Sequence, residues 1–394
     1  PTDRPAPPPP PPGAATAPAP TSPPPNSARA FLHSTEQTRT YPCQACGGEL
    51  AFDIASQKLR CQACGNLHDL AGSAQPVQER DVRATLASGL AGRVASQAQE
   101  KEIVCQSCGG HTTFTGSLTA DRCPYCATPI QRDDVHNAPE RLPVDAVVPF
   151  QVDAKQAKTL IESWINSRWF APSEFKTYNR TGSFSSVYMA YFTYDAETDT
   201  EYTGERGVNR QVQVGSGDDT RWETRTDWYH VSGDVHNSFD DITVFANDDF
   251  DAKRIAKLEP WPTKEAKPYS PEFVAGHLCR TYDRGMDECL SDAKRTMESE
   301  ITTTVRRDIG GDQQRVHQVR TDWRTLTYKH ILLPIWLLTV IYQERPFQVF
   351  INGVTGEVQG QRPFSRVKLA LAIAAGVVLL ILILVLVMAM KKKR

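Results

Sequence analysis

The chain has 394 residues, a formal net charge of -2 at pH 7 and an isoelectric point near 6.6. Because single domains mostly contain about one to two hundred residues, this length predicts one sizeable domain and several small modules. The near-neutral charge excludes a global basic field of the kind that draws whole proteins onto nucleic acid, so any nucleic-acid contact would have to be local.

Proline dominates the start of the chain. Thirteen of the first 25 residues are proline, with an unbroken run from Pro7 to Pro12. A segment with so few hydrogen-bond donors and so little apolar surface cannot build a core, so residues 1–40 are predicted to be a disordered arm with polyproline II character. The arm serves either as a spacer or as a ligand for a proline-binding groove, and we favour the spacer.

Eight of the ten cysteines form four C-x2-C pairs. The first two pairs recur 62 residues later with the same spacing, which predicts two tandem zinc ribbons at 41–70 and 105–130. The first residues do not read as a signal peptide, so closely paired thiols indicate a reducing, intracellular compartment. The predicted ligands are Cys43, Cys46, Cys61 and Cys64 for the first zinc ion and Cys105, Cys108, Cys123 and Cys126 for the second.

Within each ribbon, 14 residues separate the two cysteine pairs, the length of a small β-hairpin that brings them face to face. Four thiolates fill the tetrahedral shell of zinc, so both ions are predicted to be structural rather than catalytic. An iron or iron–sulfur site and a redox pair of thiols remain alternatives. His68 and His111 are expected to face solvent. Chelation is expected to unfold residues 41–130 and leave the larger domain intact.

The charges of the ribbons favour a protein partner or a purely structural role over nucleic acid. In each ribbon the few cations are balanced by acids, so neither ribbon offers the basic stripe that phosphate contacts require. The charged residues are Lys58, Arg60, Glu49, Asp53 and Asp69 in the first ribbon and Lys101, Arg122, Glu102 and Asp121 in the second.

Residues 71–104 are predicted to be a spacer between the ribbons, either flexible or containing a short helix. The helical alternative rests on four apolar residues that recur at every fourth position. They are Val82, Leu86, Leu90 and Val94.

Residues 141–363 have the composition of an ordinary globular domain. Asp153 can cap a helix, and a second helix is predicted from Met286 to Ile301, ending before Gly310. A turn is predicted at Asn352-Gly353. Clustered strands interrupted by only two helices predict the α+β class with a mainly antiparallel sheet. The predicted strands are Val187–Tyr194, Trp222–Val231, Ile242–Phe245, Thr325–Tyr342 and Phe347–Ile351.

The segment from Leu369 to Met390 contains no charged or strongly polar side chain. As a helix it would be about 33 Å long, which matches the hydrocarbon core of a bilayer, so a transmembrane helix is predicted at 369–390. Basic residues flank both ends, so charge alone does not set the topology. The thiolates need a reducing environment, so the N-terminal domains are expected in the cytoplasm. This arrangement predicts a tail-anchored, single-pass membrane protein.

The larger domain carries no known catalytic signature: the chain has no G-x-S-x-G, no H-E-x-x-H and no phosphate-binding loop. We therefore expect no enzyme activity and no catalytic residues. Six residues have reactive or metal-binding side chains that an enzymatic alternative could use. The favoured interpretations are buried, inert thiols for the cysteines and a solvated loop for the acidic residues after the second helix. The six residues are Cys279, Cys289, His317, His330, Asp308 and Asp312.

Several short motifs accompany the two ribbons: W-F-A-P-S at Trp169–Ser173, R-R-D-I-G-G-D at Arg306–Asp312, L-L-P-I-W at Leu332–Trp336 and N-G-V-T-G-E-V-Q-G at Asn352–Gly360. With these motifs, residues 41–363 resemble an uncharacterised group of bacterial membrane-anchored double zinc-ribbon proteins. Members are often labelled primosomal protein N′ (replication factor Y) or superfamily II helicase. A helicase motor needs a phosphate-binding loop, which this chain lacks, so helicase activity is excluded.

The resemblance implies a bacterial origin, which places the predicted anchor in the bacterial inner membrane. The sequence thus predicts a membrane-anchored zinc-ribbon adaptor that binds a protein partner on the cytoplasmic face. The first alternative is a membrane-tethered nucleic-acid-binding protein, and the second is an enzyme that uses the 141–363 domain.

Overall fold

The structure is a computed structural model. The predictions for the proline-rich arm up to residue 37, for Val94, for the four cysteines of the second ribbon and for Ser173 concern residues outside those that it describes. The described residues are 38–39, 41–70, 76–93, 100–104, 111–115, 118–122, 129–132, 142–172, 183–215, 220–248, 250–343, 345–363 and 365–392.

Short strands make up the first third of the described chain. Three of them form a small antiparallel sheet around the first cysteine quartet, and two others form a separate hairpin. The remaining four join the large sheet. The elements are β1 (Thr38–Arg39), β2 (Leu50–Asp53), β3 (Lys58–Cys61), β4 (Leu67–His68), β5 (Arg80–Asp81), α1 (Val82–Ala87), β6 (Glu100–Val104), β7 (His111–Thr115), β8 (Leu118–Arg122) and β9 (Pro129–Arg132).

The rest of the described chain is built on a large, mainly antiparallel sheet with helices packed against it. Three of its strands are far longer than the strands of most domains. The elements are β10 (Ala146–Val147), α2 (Ala154–Asn166), β11 (Ser183–Val214), β12 (Arg221–Phe245), α3 (Ala252–Ile255), β13 (Lys267–Pro268), β14 (Leu278–Arg280), α4 (Met286–Ile309), β15 (Gln313–Tyr342), β16 (Arg345–Asn352), β17 (Val358–Gly360) and α5 (Arg366–Lys392).

The long strands β11, β12 and β15 contain 32, 25 and 30 residues. β11 is central and pairs antiparallel with β12 on one side and with β15 on the other. β15 begins at Gln313, opposite Gly207, so β11 beyond this point pairs only with β12. The two strands therefore continue as a two-stranded arm over residues 208–214 and 221–227.

Helix α4 covers one face of the long strands. Its buried side chains recur at intervals of three or four residues, from Met286 through Ile301 to Ile309, as predicted for the first part of the helix. Tyr194 donates a hydrogen bond of 2.6 Å to the carbonyl of Met286. Small threonines such as Thr198 face the helix and are fully buried. The opposite face of the strands carries most of their charged side chains.

The segment between the ribbons is attached to the large sheet. β5 pairs with β15, with Asp81 opposite Thr327. Arg80 forms an ion pair of 2.7 Å with Asp145, whose side chain is only 4% exposed. The amide of Met286 donates to the carbonyl of Ala91 at 2.8 Å, which joins the segment to the start of α4. Through β5, this segment is therefore joined to the large sheet and does not only separate the two ribbons. The segment contains a short helix, α1, which is one of the two alternatives that the sequence predicts.

The predicted α+β class is corrected, because strands occupy more of the described residues than helices do and the architecture is mostly β. The two predicted helices are present as α2 and α4. The difference comes from the strands, which extend well past their apolar centres into polar sequence. Residues 195–214 and 313–324 are strand, yet most of their outward side chains are charged or polar.

The prediction of a transmembrane helix at 369–390 is also corrected. These residues lie in α5, and the large apolar side chains described there, from Leu369 to Met388, are exposed. Within the described residues, no helix is long and apolar enough to cross a membrane. The predicted tail-anchored, inner-membrane arrangement is corrected with it.

Candidate metal centre

The four cysteines of the first ribbon converge on one point. The Sγ atoms of Cys43 and Cys64 lie 3.8 Å apart, and those of Cys46 and Cys61 lie 3.5 Å apart. All four sulfurs lie within 4.8 Å of one another. With metal–sulfur bonds of about 2.3 Å, a tetrahedral site has sulfur–sulfur edges of about 3.8 Å. The quartet therefore has a geometry that could hold a metal ion.

Two similar turns present the sulfurs. The amide of Gly47 donates to the carbonyl of Cys43 at 2.8 Å, and the amide of Gly65 donates to the carbonyl of Cys61 at 3.0 Å. Both glycines have a positive φ, of 72° and 76°, a conformation that side chains with a Cβ rarely adopt. The β2–β3 hairpin, with Leu50 opposite Cys61, brings the two turns together.

The electrostatics of the quartet favour a bound cation. A hydrogen bond from the amide of Cys64 lowers the pKa of Cys61 to about 6. At Cys46 the amide of Gly48 lowers the pKa, but the neighbouring sulfurs and burial outweigh it and raise the pKa to about 12. One thiol of the group therefore ionises readily, while a second resists ionisation beside it. A metal ion among the four sulfurs would remove this conflict, because it binds thiolates.

His68 lies beside the quartet, and the expectation that it faces solvent is wrong. Its Nε2 atom is 3.4 Å from the Sγ of Cys43, and the residue is half-buried. The pairing of β4 with β3, with His68 opposite Leu59, brings the ring to this position. When Nε2 carries the proton, the ring can donate a hydrogen bond to the Cys43 sulfur, as groups around metal-bound ligands often do. The corresponding prediction for His111 concerns a side chain that the structure does not describe.

The first ribbon packs against the large domain through Phe52. The rings of Phe52 and Phe273 have centroids 5.5 Å apart, and His277 meets the edge of Phe52 at 6.1 Å. The amide of Phe52 also donates to the carbonyl of Ala275 at 2.9 Å. Gln57, at the β2–β3 turn, donates its side-chain amide to the carbonyl of Phe150 at 2.8 Å. Backbone and ring contacts together fix the orientation of the ribbon.

His277 is the centre of the surface that receives Phe52, and we call Phe150, Phe273 and His277 the aromatic seat. The His277 ring stacks on Phe150 with centroids 5.1 Å apart, and its Nδ1 lies 2.7 Å from the Oγ of Ser186. Only 7% of His277 is exposed. Nothing in the spacing of the sequence marks His277 as a partner of the ribbon, because the contact joins residues more than two hundred positions apart.

Among the described residues, the candidates for enzyme chemistry do not form a shared site. Burial raises the pKa of Cys279 and of Cys289 to about 12, which leaves both as unreactive thiols. Burial lowers the pKa of His330, whose Nδ1 lies 3.1 Å from the carbonyl oxygen of Pro143.

The candidate residues at the end of α4 and beyond it also point to separate partners. Asp308 accepts a hydrogen bond from the Tyr202 hydroxyl, and Asp312 accepts one from the amide of Asn209. His317 lies 3.6 Å from Glu205 on a different strand. The described residues thus give no support to a metal site shared by Asp308, Asp312 and His317.

Besides the cysteine quartet, the structure contains a cluster of acidic residues on the long strands. The sequence does not predict this cluster. The carboxylates of Asp195, Asp240 and Asp241 lie within 4.8 Å of one another. Lys329, which is 13% exposed, forms an ion pair of 2.7 Å with Asp241. Burial raises the pKa of Asp195 to about 6. The lysine supplies the positive charge that these acids need, so the cluster is a structural ion-pair network.

Comparison with known proteins gives one informative match. The chain is 24% identical to the uncharacterized protein YdjG of Bacillus subtilis (strain 168) over 334 residues, which cover 84% of this chain and 92% of the relative. No family model matches the chain, and no solved structure matches it. The similarity extends over nearly the whole relative, but it carries no activity to this chain.

Proposed function

We propose that the protein is a zinc-dependent adaptor that binds a protein partner through its first ribbon. The convergence of Cys43, Cys46, Cys61 and Cys64 carries this proposal. In it, zinc fixes the ribbon as a rigid module, the aromatic seat orients the module on the large domain, and the exposed turns of the ribbon contact the partner. A second zinc ion at Cys105, Cys108, Cys123 and Cys126 belongs to the same proposal and rests on the repeated spacing.

The choice of zinc follows from the ligand set. Four thiolates in a compact tetrahedral arrangement suit zinc, and they leave no coordination position for water or substrate. The sulfur–sulfur distances of 3.5 and 3.8 Å are far longer than the bond of about 2.05 Å in a disulfide. The site would therefore supply folding free energy to the ribbon, as structural zinc does in small domains with little core.

The exposed turns of the ribbon have the chemistry of a protein-binding surface. They present small and neutral side chains, together with Leu67, which is 47% exposed. The two cations of the ribbon are already paired, Lys58 with Asp69 at 2.7 Å and Arg60 with Asp53 at 3.1 Å. Because nucleic-acid binding depends on cations that contact phosphates, this pairing favours a protein partner. The residues concerned are Gln44, Ala45, Gln62 and Ala63 in the turns and Leu67 in β4.

The test is affinity purification of the full-length protein with mass spectrometry of the proteins that accompany it. We expect a defined partner that is lost both with Cys43→Ser/Cys46→Ser and with Leu67→Asp, although Leu67→Asp keeps its zinc. Leu86→Asp, an exposed leucine outside the ribbon, is the matched control and should retain the partner. Retention of the partner by both ribbon variants would overturn the proposal. Recovery of DNA or RNA that dissociates steeply with salt would favour the nucleic-acid alternative instead.

A further inference from the structure

The outer edge of β12 is open. Within the described residues, β12 pairs with β11 and with no other strand. Between Arg221 and Ser238 it contains no proline, and its pairing with β11 is uninterrupted by a bulge. Such an edge presents a row of unpaired amide and carbonyl groups, and natural proteins usually protect long edges of this kind or use them to pair with another chain.

The open edge is most accessible in the two-stranded arm. α4 ends at Ile309 and β15 begins at Gln313, so neither element accompanies the arm beyond Gly207. Most side chains of the arm are exposed, including Trp222 at 68%. A large exposed aromatic side chain on an open strand edge is typical of a contact surface.

The side chains of β12 in the arm are complementary to themselves. On one face of the strand the charges alternate in the order Arg221, Glu223, Arg225 and Asp227. An antiparallel copy centred on Thr224 would place Arg221 opposite Asp227 and Glu223 opposite Arg225, each pair occurring twice by symmetry.

On the other face of the strand, the same arrangement would place Trp222 opposite Thr226. Moving the centre by two residues in either direction leaves a single opposite-charge pairing within Arg221–Asp227, either Arg225 with Asp227 or Arg221 with Glu223. The pattern therefore fits one register, with its two-fold axis at Thr224.

We propose that two copies of the chain associate edge to edge through β12, with Thr224 on the two-fold axis. In the single chain, Arg221 pairs with Glu223 at 2.7 Å and Asp227 pairs with Arg210 at 2.8 Å. These charges lie on one face of the sheet, so association extends an existing charge network across the new strand pair. The inference is independent of the metal centre and of its proposed partner.

Charge reversal tests the pairing in the full-length, zinc-loaded protein. The dissociation constant of the dimer is measured by analytical ultracentrifugation. Glu223→Arg places like charges opposite each other twice, so we expect it to weaken the dimer by at least about tenfold. Glu223→Arg/Arg225→Glu restores opposite charges and is expected to return the dissociation constant to within about threefold of the original. A monomer at all concentrations, or a dimer that neither variant alters, overturns the proposal.

Disulfide crosslinking tests the register. Thr224→Cys would place two thiols opposite each other across the axis, and mild oxidation is expected to give a covalent dimer. Ser232→Cys, on the same face of the same strand, is the matched control, because its copies would lie about 50 Å apart. Equal crosslinking of the two variants, or none with Thr224→Cys, contradicts the register. Unchanged circular dichroism and thermal unfolding of every variant verify that the fold is intact.

Discussion

Phe52 of the first ribbon lies against Phe273 of the large domain, with ring centroids 5.5 Å apart. Both residues belong to a hydrophobic core that also contains Cys43 and Cys61. Two of the four proposed metal ligands therefore share one core with the large domain. Loss of metal is expected to destabilise the contact with the large domain as well as the ribbon, which differs from the sequence-based expectation that the domain would be unaffected.

Replacing Phe52 tests this coupling. Phe52→Ala removes a ring that is only 5% exposed, and such truncations typically cost about 3–5 kcal/mol. We expect a fall of that order in the free energy of unfolding of the zinc-loaded protein, together with faster capture of zinc by a chelator. Leu67→Ala, an exposed residue of the same ribbon, is the control and should change stability by less than about 0.5 kcal/mol. Equal changes in the free energy of unfolding and in zinc capture for the two variants would show that the aromatic seat does not stabilise the ribbon.

His68 is expected to act on the metal site without being a ligand. His68→Ala removes the ring beside Cys43 but leaves all four sulfurs, so the zinc content of the protein should be unchanged. The rate of zinc transfer to a chelator is expected to rise by about tenfold or more, because groups that hydrogen-bond to ligands commonly affect metal affinity by that factor. His236→Ala, a histidine on the distant β12, is the control. A drop in zinc content with His68→Ala would instead identify the histidine as a ligand.

The segment between the ribbons is expected to contribute to the stability of the large domain. Arg80→Ala leaves the buried carboxylate of Asp145 without its ion-pair partner. Removing one partner of a buried pair costs about 3–5 kcal/mol, and partial exposure of Arg80 reduces the expected loss to roughly 2–3 kcal/mol. Arg83→Ala is the matched control, since Arg83 donates only an exposed hydrogen bond to the carbonyl of Trp323. Urea unfolding distinguishes the two, and equal losses would contradict the assigned role of Arg80.

The Asp195 network predicts a specific dependence of stability on pH. Burial raises the folded-state pKa of Asp195 from 3.8 to about 6. The folded protein therefore binds a proton more tightly than the unfolded chain does, and this contribution is complete below pH 4 and lost as pH rises through about 6. Asp195→Asn removes the titration.

The comparison is made between pH 4 and pH 7. Over this range, the stability of Asp195→Asn relative to the original protein is expected to rise by an amount on the order of 2 kcal/mol. Parallel pH profiles of the two proteins would contradict the raised pKa.

The sequence predicts the cysteine quartet and the two core helices because their signals are local. Paired cysteines with hairpin spacing and apolar residues three or four apart need no knowledge of distant residues. In α4, for example, Met286, Leu290, Ala293, Met297 and Ile301 are all buried as their spacing predicts.

The lengths of the strands and the packing of the ribbon on the aromatic seat depend on contacts between residues that are far apart in the sequence. The face of β11 under α4 includes Thr198, Thr200 and Gly204, which interrupt the apolar alternation, and the strand is held by pairing on both sides. His277 meets Phe52 only through the folded sheet. The sequence predicts that His68 faces solvent because four thiolates already complete a zinc shell. That rule does not predict which groups lie beside the ligands.

The measurement that tests the central claim most directly is zinc content by native mass spectrometry of the full-length protein and of Cys43→Ser/Cys46→Ser. Ala45→Ser, between the two cysteines on the same turn, is the control. The first quartet is expected to hold one zinc ion, so the double variant should contain one ion fewer per chain than either the original or Ala45→Ser. Equal zinc content in all three proteins would contradict a metal site at Cys43, Cys46, Cys61 and Cys64.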